Sequence, residues 1–376
     1  MKITFMKTER IHSLDALRAI MMMLGIVLHA TEPYSLGDDA FWPKDPNARG
    51  ISLNYIFGII HIFRMPIFFM IAGFFGALLF YERGPALMLK NRFRRILLPF
   101  LVFVVLLQPV ITSTFNYMSE AFQSPVSDLV TRLTILPQIT YHLWFLYYLI
   151  FITAASFLLA LLFRRFPAFT SKISKSFEWF MWKRWLFIPV FSIIIFLMLV
   201  WMWDYWAPTS VSFIPDVKVL LFYSIFYFLG WVLFKSKHLL TGMMRGGWLF
   251  LTIAILIFTL RFFYRSYVDD ILFGALNAII IWFFVFGTMG LFVRYASGNS
   301  PRMRYISDAS YWVYLIHLPL VALFAALIMD WPLSAFVKFL IISLFTTITS
   351  FVSYHYLVRS TFVGKFLNGR RYSLKR

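Results

Sequence analysis

Residues 13–30 read SLDALRAIMMMLGIVLHA, a run in which Asp15, Arg18 and His29 are the only ionisable side chains. Drawn over 14–32, the segment has the length that crosses a hydrocarbon core of about 30 Å at about 1.5 Å per residue. On a helix turning about 100° per residue, Arg18 and His29 lie about 20° apart, and Asp15 lies about 40° from His29 on the other side. All three share one face, with His29 roughly 16 Å above Arg18 along the axis. Ser13 stands where an N-cap is expected. The stretch thus predicts a membrane helix with a polar stripe running from one surface into the far half of the bilayer. The competing reading is that Asp15 and Arg18 anchor the helix at the headgroups while His29 hydrogen-bonds a neighbour.

The rest of the chain repeats the pattern. Of 376 residues 61% are hydrophobic, 21% aromatic and only 14% charged, more apolar than a water-soluble domain can bury. Ten apolar segments are drawn, at 14–32, 52–80, 96–115, 141–163, 185–206, 216–234, 247–264, 271–293, 307–328 and 334–358. Lys2, Lys7 and Arg10 precede the first, as in a signal peptide, but no small-residue cleavage site follows, so it is expected to stay as the first span. The expected fold is an all-α polytopic membrane protein of about ten transmembrane helices, one domain over residues 1–376. The loops at 33–51 and 116–140 are long enough to cover a site, and the aromatic, basic stretch at 164–184 fits a helix lying in the membrane interface.

Charge sets the expected orientation. The net charge is +19, from 35 Lys and Arg against 16 Asp and Glu, and a nucleic-acid binder would gather that excess on one soluble face. Here it falls on alternate loops, with Arg83, Lys90, Arg92, Arg94 and Arg95 in one and Arg164, Arg165, Lys172, Lys175, Lys183 and Arg184 in the next of the same set. The opposite loops hold acids such as Glu32, Asp38, Asp39, Asp45, Glu120 and Asp330. The positive-inside rule then predicts both termini in the cytoplasm and an even number of spans. With no cysteine there is no disulfide, thiolate nucleophile or Cys-ligated metal.

Ionisable residues kept inside apolar spans are where chemistry is expected, since each costs a few kcal/mol, about 2.5–3.5 on insertion scales, in lipid. His61 and Arg64 are three residues apart, on one face of the second span and at a depth similar to that of His29. Either a carboxylate or a water-filled cavity must face Arg64; a purely structural ion pair is the alternative. His142 opens the fourth span in YHLWFLYYL, with Trp144 close behind, and Asp204 closes the fifth in WMWDYWAP. Both suit an interfacial anchor as well as a substrate contact. His317 lies mid-span after Tyr311 and Tyr314 and fits a cavity or a satisfied core position. Arg64 with Pro66, and His317 with Pro319, read as interruptions of their spans. His12, His238 and His355 sit at the basic surface and call for no special role. The sequence has no HExxH, EF-hand, Walker or GxSxG pattern, so no metal is expected and neither a metalloprotease nor an ATP-driven pump has local support.

Five motifs in order resemble the membrane-bound acyltransferase family 3. SLDALRAIMMMLGIVLHA is similar to its LDxLR opening followed about ten residues later by His, and FFMIAGFF, RFRRILLPF, YHLWFLYYL and DASYWVYLIHLPL are similar to later elements. IHIFRMPIFFMIAGFF resembles the branch that modifies osmoregulated periplasmic glucans, whose best-known activity is succinyl transfer. The family's RRxxRI stands here as RFRRILL. The resemblance implies acyl-coenzyme A, succinyl or acetyl, as donor, a glucan hydroxyl outside the bacterial inner membrane as acceptor, and membrane lipid as surroundings. It puts the essential His at His29, the essential Arg at Arg18, and the donor site among Arg92, Arg94 and Arg95. Asp15, His61 and Arg64 then join His29 as candidate catalytic residues, and His142, Trp144, Asp204 and His317 are candidate acceptor contacts. A homo-oligomer is left open. The rival reading is a transporter or flippase whose charges line a translocation path.

Overall fold

The computed structural model describes residues 11–37, 41–132, 134 and 136–372, so the expectations placed on Lys2, Lys7, Arg10, Asp38 and Asp39 lie outside the described residues. In chain order the α-helices of seven residues or more are α1 (His12–Thr31), α2 (Ile51–Leu78), α3 (Pro85–Arg92), α4 (Leu98–Phe122), α5 (Trp144–Phe163), α6 (Pro167–Trp182) and α7 (Arg184–Met202). They continue with α8 (Val217–Lys235), α9 (Gly247–Phe263), α10 (Asp270–Tyr295), α11 (Pro301–Leu327), α12 (Ala335–Ser353) and α13 (Phe362–Asn368). Among the described residues, nine helices are long and apolar enough to cross a membrane, and α9 is a shorter apolar helix of 17 residues.

Helix starts follow local chemistry. Asp216 and Asp269 cap α8 and α10 by accepting the N–H groups of Lys218 and Leu272 at 2.8 and 2.7 Å, and Ser300 caps α11 through Met303, each worth about 1 kcal/mol. Ser13 is not the cap of α1. The Asp15 N–H already donates to the Ile11 carbonyl at 3.2 Å, so the helix is capped two residues earlier and Ser13 is buried inside its first turn.

Pro66 and Pro319 do not interrupt their spans; α2 and α11 run through them. Each proline instead withholds one N–H and frees the carbonyl four residues earlier. Three π-helical turns, Leu79–Arg83, Phe93–Leu97 and Tyr354–Val358, lie at the end of the bundle that carries the start of α1 and the end of the chain. That end is called the basic end here. At its centre, α1 packs between α2 and α11. α2 is the most buried of the spans and crosses α8 backbone to backbone, since a Cβ on Gly73 would lie 1.9 Å from the Tyr227 carbonyl oxygen and one on Gly230 1.8 Å from that of Met70. Any side chain there would force the helices apart. α7 is the least buried span, and Leu158, Ile193, Leu197, Leu256 and Leu344 point outward, as side chains in contact with lipid do.

α6 forms in the stretch read as an interface helix, with Phe169, Trp179 and Trp182 exposed and Phe177 and Met181 buried. The segment 41–50 folds back over the bundle. Its Asp45 carboxylate is fully buried against Lys338 of α12 at 2.8 Å, and Lys44 reaches the Glu32 carbonyl at 2.8 Å and the Ser35 hydroxyl at 3.0 Å.

Candidate functional site

Three voids lie in line through the middle of the bundle. Away from the basic end, a cavity of about 310 Å³ is lined by His29, His61, Arg64, His142 and Trp144 together with Trp42 and Glu32. Toward the basic end, a second cavity of about 310 Å³ is lined by Arg18, Arg92, Arg95, Asn91, Asp308 and Tyr311. A small void of about 30 Å³, the neck, lies between them. It shares His29, Arg64, Met65, His142 and Trp144 with the first cavity and Met22, Phe68 and Phe145 with the second. His317 lines the neck. Arg94 and Arg95 also line an adjoining basic groove of about 500 Å³ with Arg83, Lys90 and Lys365.

The histidine end is built on backbone carbonyls. Pro319 frees the Leu315 carbonyl, and the His142 Nε2–H donates to it at 3.0 Å. One turn back, the Tyr314 carbonyl accepts from His317 Nδ1 at 2.6 Å, while the Tyr314 hydroxyl donates to the His142 carbonyl at 2.7 Å. His61 Nε2 donates to the Ala207 carbonyl at 2.8 Å. A carbonyl only accepts, so each of these rings is fixed as the tautomer that keeps its other nitrogen as a lone pair. His142 Nδ1 and His317 Nε2 are buried with no partner among the described residues.

His29 differs from the other three. Its ring makes no hydrogen bond among the described residues, is only partly buried, and is held by stacking: 5.7 Å from Trp42 at an interplanar angle of 21°, and 5.3 Å from His317. Arg64 reaches the same neck. A Cβ on Gly25, one turn before His29, would sit 3.1 Å from Arg64 Nη1 and 3.3 Å from His317 Nε2, so the glycine leaves the space in which cation and imidazole meet. Among the described residues no carboxylate lies within ion-pair distance of Arg64, and its Nε is buried without a partner.

The basic cavity gathers guanidinium groups. Arg92 donates to the Ala72 carbonyl at 3.2 Å with its Nε buried and unpartnered, and Arg18 lies over the Phe75 ring at 5.5 Å. Arg95 donates to the Leu367 carbonyl of α13. Arg95 sits in a π-turn, where its own carbonyl is free to accept from Tyr311 at 3.0 Å. The Asp308 carboxylate is engaged by Arg370 at 3.3 Å and the Tyr372 hydroxyl at 2.5 Å. The cavity is left cationic, and paired guanidinium forks suit phosphate.

The expected residues thus gather at two places, with two exceptions. Asp15 pairs with Arg18 at 3.3 Å at the basic end, fourteen residues and roughly 21 Å of helix below His29, so it is not beside the imidazole. Asp204 is exposed, lines neither cavity, and closes a turn by accepting the Trp206 N–H at 3.1 Å. Sequence reasoning missed Trp42 and Gly25. The signal for Trp42 was a lone large aromatic in the loop sequence AFWPKDP; the signal for Gly25 was a glycine four residues before His29 on the striped face.

The family model described as an acyltransferase domain matches residues 11–355. Glucans biosynthesis protein C of Salmonella schwarzengrund (strain CVM19633) is 27% identical over 354 residues, covering 88% of this chain and 87% of that protein. Glucans biosynthesis protein C of Salmonella typhi is 28% identical over 342 residues, covering 85% and 84%. No solved structure matches. The family match takes in both cavities apart from Leu367 and Asn368 on α13, and the chain therefore belongs to the acyltransferase-3 family of multi-pass membrane transferases.

Proposed function

We propose that the chain is an O-acyltransferase of the bacterial inner membrane that takes a short acyl group, succinyl in preference to acetyl, from acyl-coenzyme A at its cytoplasmic side and passes it to a hydroxyl of a periplasmic glucan. The observation that carries the proposal is the neck: a guanidinium-lined cavity and a histidine-lined cavity lie on either side of it, and each shares lining residues with it. A flexible donor with phosphates at one end and a reactive carbonyl at the other fits that arrangement. The relatives' printed name supports a glucan acceptor, and the loop charges support a basic end in the cytoplasm.

The donor supplies an activated thioester carbonyl; the chain does the rest. Arg18, Arg92 and Arg95 hold the phosphates by charge-assisted bonds, with Arg94 at the mouth. His29, the ring without a backbone partner, removes the proton from the incoming sugar hydroxyl as its oxygen attacks the carbonyl carbon. Arg64 faces the charge that develops on the carbonyl oxygen, or binds the free carboxylate of a succinyl group. The carbon–sulfur bond breaks, and the thiolate leaves with the proton that His29 took up. His61, His142 and Trp144 offer lone pairs and an apolar face to the sugar.

Purified protein in detergent, given succinyl- or acetyl-coenzyme A and isolated glucan, should add acyl mass to the glucan, and His29→Ala should lower turnover by about 100-fold or more. The melting temperature should hold, because no hydrogen bond of that ring is lost. Acylation that requires a sealed vesicle, or a His29→Ala variant with wild-type turnover, would overturn the proposal.

A further inference from the structure

Arg261 of α9 has no part in the chemistry above, yet it is 2% exposed and lies at the end of the bundle that holds the histidines. Among the described residues no carboxylate is within ion-pair distance of it, and its Nε has no partner. A buried cation in a membrane helix is costly and is seldom kept to fill space that a leucine would fill. Three rings surround it: its guanidinium carbon lies 5.0 Å from the centroid of Trp206, 4.6 Å from that of Phe258 and 4.5 Å from that of Phe273. Its one polar partner among the described residues is the Asn277 side-chain oxygen, and Asn277 Nδ2 in turn donates to the Tyr205 carbonyl at 2.6 Å.

These contacts converge on one ring. Trp206 is stacked on His61 at 5.8 Å and 18°, and on Phe273 at 5.8 Å and 12°. The residue after Trp206, Ala207, supplies the carbonyl that takes the His61 Nε2–H. Gly58, one turn before His61 on α2, clears the place for this stack, since a Cβ there would come within 3.1 Å of Phe258 and 3.4 Å of Trp206. We infer that Arg261 and Asn277 are positioning residues for His61. They hold the segment Tyr205–Ala207 against α2 so that the imidazole keeps its Nε2–H on the backbone and offers Nδ1 to the acceptor as a hydrogen-bond acceptor. Arg261 touches no substrate and acts only through Trp206 and Asn277. The inference rests on taking the His61 cavity as the acceptor site.

The test uses the full-length protein with ¹⁵N-labelled histidine, the His61 signals being identified by their loss in His61→Gln. In the wild type, His61 should read as the Nε2–H tautomer. Arg261→Met should give a mixture of tautomers and raise the acceptor KM about tenfold, the loss of one well-made hydrogen bond, with the donor KM unchanged. Arg261→Lys keeps a cation over the rings and should recover part of the acceptor KM. Should Arg261→Met fail to fold, Asn277→Leu, which removes the link to Tyr205 and leaves the ring stack, should give the same tautomer change. A variant that melts earlier but keeps the wild-type His61 signal and acceptor KM would make Arg261 a packing residue and overturn the inference. The tautomer signal needs no substrate, so a wild-type chain that fails to acylate glucan would sink the proposed function while leaving this measurement to decide its own question.

Discussion

At Arg64 the sequence poses a question that the structure sharpens. A permanent cation inside an apolar helix needs an anion or water, and Glu32 and Asp204 were the acids within reach along the chain. Asp204 is turned away into its own loop, and Glu32, although it lines the same cavity, is engaged by Lys44. The carboxylate of a succinyl group would complete the site. Arg64→Gln is therefore expected to lower transfer from succinyl-coenzyme A about 10²-fold or more, the scale of a lost charge-assisted contact at a reacting centre, and transfer from acetyl-coenzyme A much less. Competition between the two donors, read from the mass added to the glucan, checks this, and an equal loss with both would assign Arg64 to the carbonyl oxygen alone. His29, Arg18, His61 and Arg64 were legible in the sequence because helical periodicity fixes which residues share a face. Trp42 was not, because a loop's return onto a helix leaves no periodic trace.

Among the elements, α11 shows how a local defect is put to use. Pro319 costs a helix bond, yet the carbonyl it frees is the one that orients His142. Pro319→Ala should restore the bond to Leu315 and leave stability unchanged or higher, by up to about 3 kcal/mol. His142 would lose its partner, and turnover should fall about tenfold, the worth of one hydrogen bond. Melting temperature and turnover measured together check the prediction; unchanged turnover would mean that His142 is held by something else. The sequence marked this proline as a break, because a missing N–H signals lost helix, whereas the packed neighbours of α11 keep it continuous.

For the molecule as a whole, parity ties the termini together. Arg18 of α1 and Leu367 of α13 line one cavity, which an even number of crossings would explain, with the 17-residue α9 as a tenth beside the nine described helices long enough to span. Its ends agree, with Gly247 against Leu291 at one and Arg261 bonded to Asn277 at the other, so α9 runs antiparallel to α10 from end to end. A reporter fused to the C-terminus or inserted beside Lys235 is expected to read cytoplasm, and one beside Ser127 periplasm; two neighbouring loops on the same side would break the transfer path. Nine of the ten spans drawn from length and hydropathy stand, among the described residues, as helices long enough to cross, and the segment at 247–264 forms the shorter α9; the return of α13 onto Arg95 was not readable, since no apolar period marks it. The neck has one more consequence. Two wet cavities meeting inside a bilayer would short-circuit the ion gradients of a living membrane. Here they meet at about 30 Å³ of space edged by Met21, Met22 and Phe68, with a fixed positive charge on Arg64, and a cation at a narrow, poorly hydrated constriction repels protons and metal ions alike. On the proposed chemistry, the group that reads a carboxylate would also be the electrical insulation of the pathway.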